Sequence, residues 1–401
     1  MTSMPVTPCI NQALPEEVLG VIFEEHAKLE WRAPVIDGLV CREWRRTILR
    51  SPRAWAHLEI GEIFKSAPSE LRQQWLGRSG TVPLHIQVSC GWHLETLDQH
   101  HKRIESLTVR HNLAHFLLEN HSFPILQSLT INDRHIRDPV FRWSTWDAMP
   151  ALRSLRVSHI LVDTLPSKAF PALRVLALSR VKEYDYVIQN SYHSLTTLML
   201  DSLYVPDTSE TLEFPSLRFL SLFAVTNLKH RMSVPALTTY HEGNITKEES
   251  FSMPLPLLTE YGIYQNFKPL FNVTRLDQCY PNLSRFSVRT RASSVKAFLH
   301  SLSGRPSALP MLRILAVGLP FGGGGYSRED KDSMINDVFV RNMTTSVEME
   351  LCFDGKLRVP LYFGHVRVYI KEDRSRLTST LRRWIDPIEY LSFVLGCALG
   401  L

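Results

Sequence analysis

The sequence predicts a chain of α+β/α/β class, with a helical N-terminal segment followed by a long solenoid whose strands line one parallel face. Three observations predict it. A nine-residue phrase recurs: Met149-Pro150-Ala151-Leu152-Arg153-Ser154-Leu155-Arg156-Val157, then Phe170-Pro171-Ala172-Leu173-Arg174-Val175-Leu176-Ala177-Leu178, then Phe214-Pro215-Ser216-Leu217-Arg218-Phe219-Leu220-Ser221-Leu222. With looser copies included, the first apolar residue of each phrase falls at 104, 126, 152, 173, 195, 217, 237, 258, 283 and 312, so the middle copies keep a step of 20 to 22 residues. Before these phrases, residues 14 to 55 carry apolar residues at helical spacing behind helix-start chemistry.

The phrase has a physical reading. Pro171 has no N–H to give to a ladder, which places it at the entry to a strand. Leu176 and Leu178 lie two apart and so share one face of that strand. A lone strand cannot bury such a face, but stacked neighbours can. A period in the twenties with Leu-x-x-Leu-x-Leu resembles the leucine-rich-repeat family. The chain departs from that family where Asn or Cys is common: Ile160, Val181, Leu203, Val225 and Ile245 stand there. These fill a core but offer no amide ladder, so the expectation is irregular turns and uneven curvature.

In the N-terminal segment, Pro15 suits a first helical position, and Glu16 and Glu17 suit the positive end of a helix dipole. Val18, Leu19, Ile22 and Phe23 follow as an apolar stripe. A second segment from Ala33 sets Ile36, Leu39, Val40 and Trp44 against Arg42, Arg45 and Arg46. Ser51-Pro52 opens a third short helix that carries Trp55. Read alone, these are three helices whose stripes pack on one another.

Taken together, Leu14-Pro15-x-Glu17-x-Leu19-x-x-Ile22-Phe23, Leu39-Val40-Cys41-Arg42-x-Trp44-Arg45 and Ser51-Pro52-Arg53-x-Trp55 closely resemble an F-box of the fungal type. The resemblance implies a three-helix F-box that docks on the Skp-type adaptor of an SCF (cullin–RING) ubiquitin ligase. Carried over position by position, it implies adaptor contacts at Leu14, Pro15, Val18, Leu19, Ile22, Val40, Cys41 and Trp44. The expected organisation is a short lead (1–12), the box (13–58), a connecting and capping segment (59–100), the repeats (101–320) and an irregular C-terminal cap (321–401). Within the connecting segment, Ser69 to Leu76 reads as a helix and Pro83 to Val88 as a strand.

Composition narrows the function classes. The 401 residues carry a net charge of +5, too mild for a nucleic-acid footprint. Six scattered cysteines with no CxxC suit reduced thiols in a cytoplasmic or nuclear protein. Met1 to Ala13 lacks a signal-peptide pattern, and no apolar run reaches the roughly 18 residues of a membrane span. The nearest run, Ile388 to Leu401, reads as a buried terminal element.

Few constellations invite chemistry. Histidines 93, 100, 101, 111, 115 and 121 crowd one stretch, with His111 and His115 at i,i+4 spacing. They have no HExxH glutamate and no cysteine pair to complete a zinc set. Gly322 to Gly325 lacks the GKS/T ending of a phosphate loop and reads as a loop. No GxSxG motif or kinase signature is present, so no metal, cofactor or catalytic residue is expected.

The expectation is therefore a binding protein: a ligase subunit that is a monomer within a hetero-complex with the adaptor and cullin scaffold. The alternative is a leucine-rich-repeat interaction module outside any ligase. Alternation along the strands places Arg156, Met199, Phe219, Phe223, Tyr264, Arg285 and Arg289 on the open strand face as candidate contacts for a protein substrate.

Overall fold

The computed structural model describes residues 14–61, 69–89, 97–132, 140–142, 149–158, 161–164, 170–181, 188, 191–203, 211–225, 232–243, 254–264, 273–290, 292–305, 307–318, 333–334, 350–354, 362–363 and 366–371. Its contacts group into two compact units, Met1–Thr238 and Thr239–Leu401.

The first unit opens with α1 (Glu16–Leu29), α2 (Ala33–Asp37) and α3 (Arg42–Leu49), then a 3-10 turn at Pro52–Trp55. Pro15 is the cap of α1 and not its first residue: its carbonyl accepts from the N–H groups of Val18 and Leu19, both at 3.1 Å. Cys41 caps α3, its Sγ accepting from Trp44 N–H at 3.4 Å. The His26 ring meets the Asp37 carboxylate at 2.9 Å and ties α1 to α2. Trp55 donates its indole N–H to the Ile48 carbonyl at 2.8 Å. The same ring packs edge-on against Trp75 of α4 (Ser69–Arg78), centroids 4.8 Å apart. Trp31 meets the same Trp75 ring at 5.5 Å, so three indoles join the opening helices to α4.

The strands of this unit are β1 (His57–Ile60), β2 (Leu84–Val88), β3 (Ile104–Arg110), β4 (Ser128–Asn132), β5 (Val140–Arg142) and β6 (Ser154–Ser158). They continue as β7 (Leu161–Thr164), β8 (Val175–Ser179), β9 (Thr197–Asp201), β10 (Leu212–Glu213), β11 (Phe219–Phe223) and β12 (Met232–Ser233). One parallel ladder runs through β1, β2, β3, β4, β6, β8, β9 and β11. Short parallel pairs, β5 with β7 and β10 with β12, form on the return paths. Helix α5 (His111–Asn120) makes the return between β3 and β4. This is a parallel-strand solenoid.

The recurring phrase supplies the strand and the turn before it. Leu155, Leu176, Leu198 and Leu220 lie directly across the ladder from one another and are buried as one column. Val157, Leu178, Leu200 and Leu222 form the next. The proline lies earlier than its strand-entry reading. Leu173 N–H donates to the Phe170 carbonyl at 3.0 Å, and Leu217 N–H to Phe214 at 3.4 Å, so Phe-Pro-x-Leu is a β-turn with Pro at its second position. Phe170, Phe214 and Met149 are buried at the turn starts.

The turns are stitched to each other through the backbone. The Gln127 carbonyl accepts from Arg153 and Ser154 N–H at 2.8 and 2.9 Å, and the Arg153 carbonyl from Arg174 and Val175 at 2.8 and 2.9 Å. The Arg174 carbonyl accepts from Thr196 and Thr197 at 2.9 and 3.0 Å, and the Thr196 carbonyl from Arg218 and Phe219 at 2.9 and 3.1 Å. Just past three strands, Arg180, Ser202 and Ala224 take left-handed φ values of 54°, 54° and 50°. The residues after them, Val181, Leu203 and Val225, are buried. An apolar side chain thus fills the position where the resembling family often has an amide.

The second unit holds β13 (Thr239–Gly243), β14 (Glu260–Tyr264), β15 (Arg285–Arg289), β16 (Ile314–Gly318) and β17 (Glu350–Asp354) in parallel, with β18 (Tyr362–Phe363) and β19 (Val366–Lys371) at one end. β19 is parallel to β17, and β18 pairs with it antiparallel. Helices α6 (Val273–Cys279) and α7 (Ala292–Ser303) occupy the returns after β14 and β15. The copies that these helices follow are spaced by 25 and 29 residues, against 20 to 22 for the middle copies. Among the described residues no helix is long and apolar enough to cross a membrane.

Candidate interaction surfaces

Helix α1 is apolar on two sides. Leu19, Phe23 and Ala27 recur every fourth residue and face inward, where Phe23 meets Trp44 edge-on at 5.2 Å. Val18, Val21, Ile22 and Leu29 face outward. Val35 and Ile36 of α2, then Leu39, Val40 and Leu49, are exposed as well, with Val21 at 59% and Leu39 at 70%. Nine of the thirteen exposed large hydrophobic side chains among the described residues therefore fall between Val18 and Leu49; Phe116, Ile125, Leu257 and Met311 are scattered over the rest. Scattered ones need no explanation, whereas the nine together make a concentrated apolar patch on the opening helices and the turn between α2 and α3.

The residues that the resemblance points to divide between surface and core. Pro15, Val18, Ile22, Val40 and Cys41 are exposed, and Leu14 and Trp44 are half-buried. Leu19 is the exception: at 2% exposure it is core, because its side of α1 carries Phe23 and Ala27. The helical stripes pack on one another only in part: Phe23 meets Trp44, but Ile36, Leu39 and Val40 point away from the helices' own core.

The open strand face is less open than alternation implies. In the first unit Arg156 and Phe223 are half-buried, but Met199 is 4% and Phe219 9% exposed. Met199 is not alone in this: Ala177 and Ser221, directly across the ladder on either side, are buried too, so the whole row is covered. Asp201 on the same face accepts from Ser179 Oγ at 2.8 Å and Ser202 Oγ at 2.9 Å.

In the second unit Arg285 is half-buried, with its Nε 3.5 Å from the Glu260 carboxylate, which also lies 3.8 Å from the His241 ring. Burial pushes the Glu260 carboxyl up, but contact with His241 and the Arg285 charge outweigh it and hold the group below its usual range. The side chains of Tyr264 and Arg289 lie outside the described residues, as do the lead before residue 13, the glycine run at 322–325 and the terminal run at 388–401.

Of the crowded histidines, His101 and His121 stack at 5.0 Å, and His121 lies 3.0 Å from the Asp98 carboxylate. His93 and the side chains of His111 and His115 lie outside the described residues. Among the described residues no three His, Cys, Asp or Glu side chains converge as metal ligands.

Two features escaped sequence reasoning. One is Glu242, buried at a leucine position of β13, where Tyr240 donates to it at 2.7 Å and Tyr261 donates to its other oxygen. Its signal was visible: Tyr240-His241-Glu242 sets a carboxylate where the other phrases have an aliphatic residue. The other is a groove over the first three strands, which carried no motif. No protein-family model matches the chain, and no curated sequence does.

Proposed function

We propose that this chain is the substrate-recognition subunit of an SCF-type ubiquitin ligase, acting in the cytoplasm or nucleus. Its opening helices would be an F-box held by a Skp-type adaptor on a cullin scaffold. The solenoid behind them, read as leucine-rich repeats, would hold the protein to be modified. In this role the chain raises local concentration and makes or breaks no bond itself. The observation that carries the reading is the cluster of exposed aliphatic side chains from Val18 to Leu49, which includes Val18, Ile22 and Val40 of the implied adaptor contacts. These three are 42%, 44% and 55% exposed, so burying what remains contributes about half of the roughly 1.5–3 kcal/mol of a full burial each.

The test is capture of a purified Skp-type adaptor by the full chain, by the paired substitution Leu14→Ala with Pro15→Ala, and by Ile22→Glu with Val40→Glu. Both variants are expected to lose the adaptor while thermal unfolding of the solenoid barely moves. Capture at wild-type level by both variants, or no capture by the wild type, would sink the reading.

A further inference from the structure

The first unit carries an open groove of about 340 Å³ between the end of α1 and the outward faces of β1, β2 and β3. Its floor is built by the ladder. His57 lies opposite His85 and Glu59 opposite Gln87, and the next strand adds Ser106 and Thr108 in the same two rows. Lys28, Glu30, Trp31 and Arg32 form the wall.

The wall charges are matched internally. Lys28 lies 2.6 Å from the Glu25 carboxylate and 3.5 Å from Glu24, and Arg32 lies 3.8 Å from Glu30. The floor differs. Among the described residues, Glu59, Gln87, Ser106 and Thr108 make no side-chain hydrogen bond or ion pair. His57 and His85 stack face to face, 4.6 Å apart and 7° from parallel. Burial, then the neighbouring His85 and Lys28, push the His57 ring down to about 4, and burial lowers His85 too. Both rings are neutral at pH 7, flat, and able to accept.

We propose that this groove takes the side chain of an arginine carried on an extended segment of a partner protein. A guanidinium has only donors, five N–H groups in one plane, and no acceptor to satisfy. The floor offers the complement: one uncommitted carboxylate, an amide oxygen, two hydroxyls and two neutral imidazoles. Each ring covers one face of the other, and the outer face of the pair is the plane a guanidinium can lie on, which the ammonium of a lysine would not use. The chain already makes such a contact on the groove wall, where the Arg32 guanidinium sits 5.3 Å from the Trp31 ring centre. The volume suits one long side chain with its flanking backbone. An acidic segment would meet Glu59 on the floor. Under the ligase reading the segment belongs to the recruited protein, and only that attribution rests on the reading.

The test uses fluorescein-labelled peptides of glycine and serine around one central residue: arginine, its neutral isostere citrulline, or glutamate. Binding to the full chain is followed by anisotropy, and the site by imidazole proton resonances of His57 and His85. The arginine peptide is expected to saturate and to shift both imidazoles, with citrulline and glutamate at least tenfold weaker. Glu59→Gln is expected to weaken the arginine peptide at least tenfold, and Thr108→Arg, which places a guanidinium on the floor, to abolish binding. Equal binding of arginine and citrulline, silence at both histidines, or full affinity in Glu59→Gln would each overturn the proposal. Adaptor capture by wild type and by Glu59→Gln, expected to be equal, keeps the two readings apart. Failed capture with arginine bound removes the ligase reading alone, and intact capture without arginine binding removes the groove alone.

Discussion

Removing the carboxylate at Glu242 should cost stability, and removing its hydroxyl partners as well should restore it. Glu242 is 1% exposed and shares a row across the ladder with Ile263 and Val288, so it occupies an aliphatic column of the second unit. Its two oxygens accept from Tyr240 and Tyr261, whose rings stack 5.6 Å apart on neighbouring strands. Glu242→Leu takes the acceptor from two buried hydroxyls, at about 1–3 kcal/mol each. A buried leucine offsets about 2 kcal/mol of that, so the net loss is about 0–4 kcal/mol, with a middle value near 2. The triple change Tyr240→Phe, Glu242→Leu, Tyr261→Phe leaves none of the three polar groups behind. Replacing a whole network by apolar groups of like shape is neutral or stabilising, so this variant should return to within about 1 kcal/mol of wild type. Urea unfolding of the full chain, read as midpoint and slope, measures all three proteins. A triple variant less stable than Glu242→Leu alone would refute the reasoning. It would mean that the network contributes more than the desolvation of its members.

Three further outcomes rest on the fold. Leu176→Asp puts a charge in the buried leucine column and should cost on the order of 4 kcal/mol or more, whereas Val175→Asp, half-buried on the outer face, should stay within about 1 kcal/mol; equal losses in urea would show that the strand register is wrong. Ala224 holds φ at 50°, so Ala224→Gly should raise stability by about 0.5–1 kcal/mol, and an unchanged or lower unfolding midpoint would contradict the strain argument. The His57 ring titrates near 4 when folded and near 6.5 when unfolded, so the unfolded chain binds the extra proton as pH falls through that window. Stability should therefore drop on acidification by less than about 1.4 kcal/mol per pH unit, reduced further by solvent screening of a half-exposed group, and His57→Gln should flatten that slope.

What was legible in the sequence is what depends on one strand and its copies. Leu155, Leu176, Leu198 and Leu220 could be set in one column because a period of two decides the face and the spacing between copies decides the neighbours. Helix α1 shows the limit. Val18, Leu19, Ile22 and Phe23 form one apolar stripe on paper, yet Leu19 and Phe23 turn inward while Val18 and Ile22 turn out. The choice between them is made by Trp44 and Ala27, which no local pattern reveals. Met199 was misplaced for a related reason: its whole row across the ladder, with Ala177 and Ser221, is buried, which alternation within one strand does not reveal. The groove floor escaped because its members come from three strands, and none of them is unusual in its own segment.

The stitching of turn to turn by main-chain groups bears on how such a chain can change its length. Because the Arg153, Arg174 and Thr196 carbonyls take the same pair of donors from the following turn, the bonds do not depend on which side chains stand there. Excising residues 175–196 would join Arg174 to Thr197 and let Thr197 inherit the bond of Val175. Leu198 would then sit beside Leu155, and Arg218 would find the Arg174 carbonyl in place of the Thr196 one. Extending the cut to Thr197 would put Leu198 where the outward Val175 stood and turn every following inward residue of that strand to the wrong side. Unequal exchange between gene copies would thus be tolerated in whole multiples of the repeat, and the strand face can lengthen or shorten without a new fold having to be found.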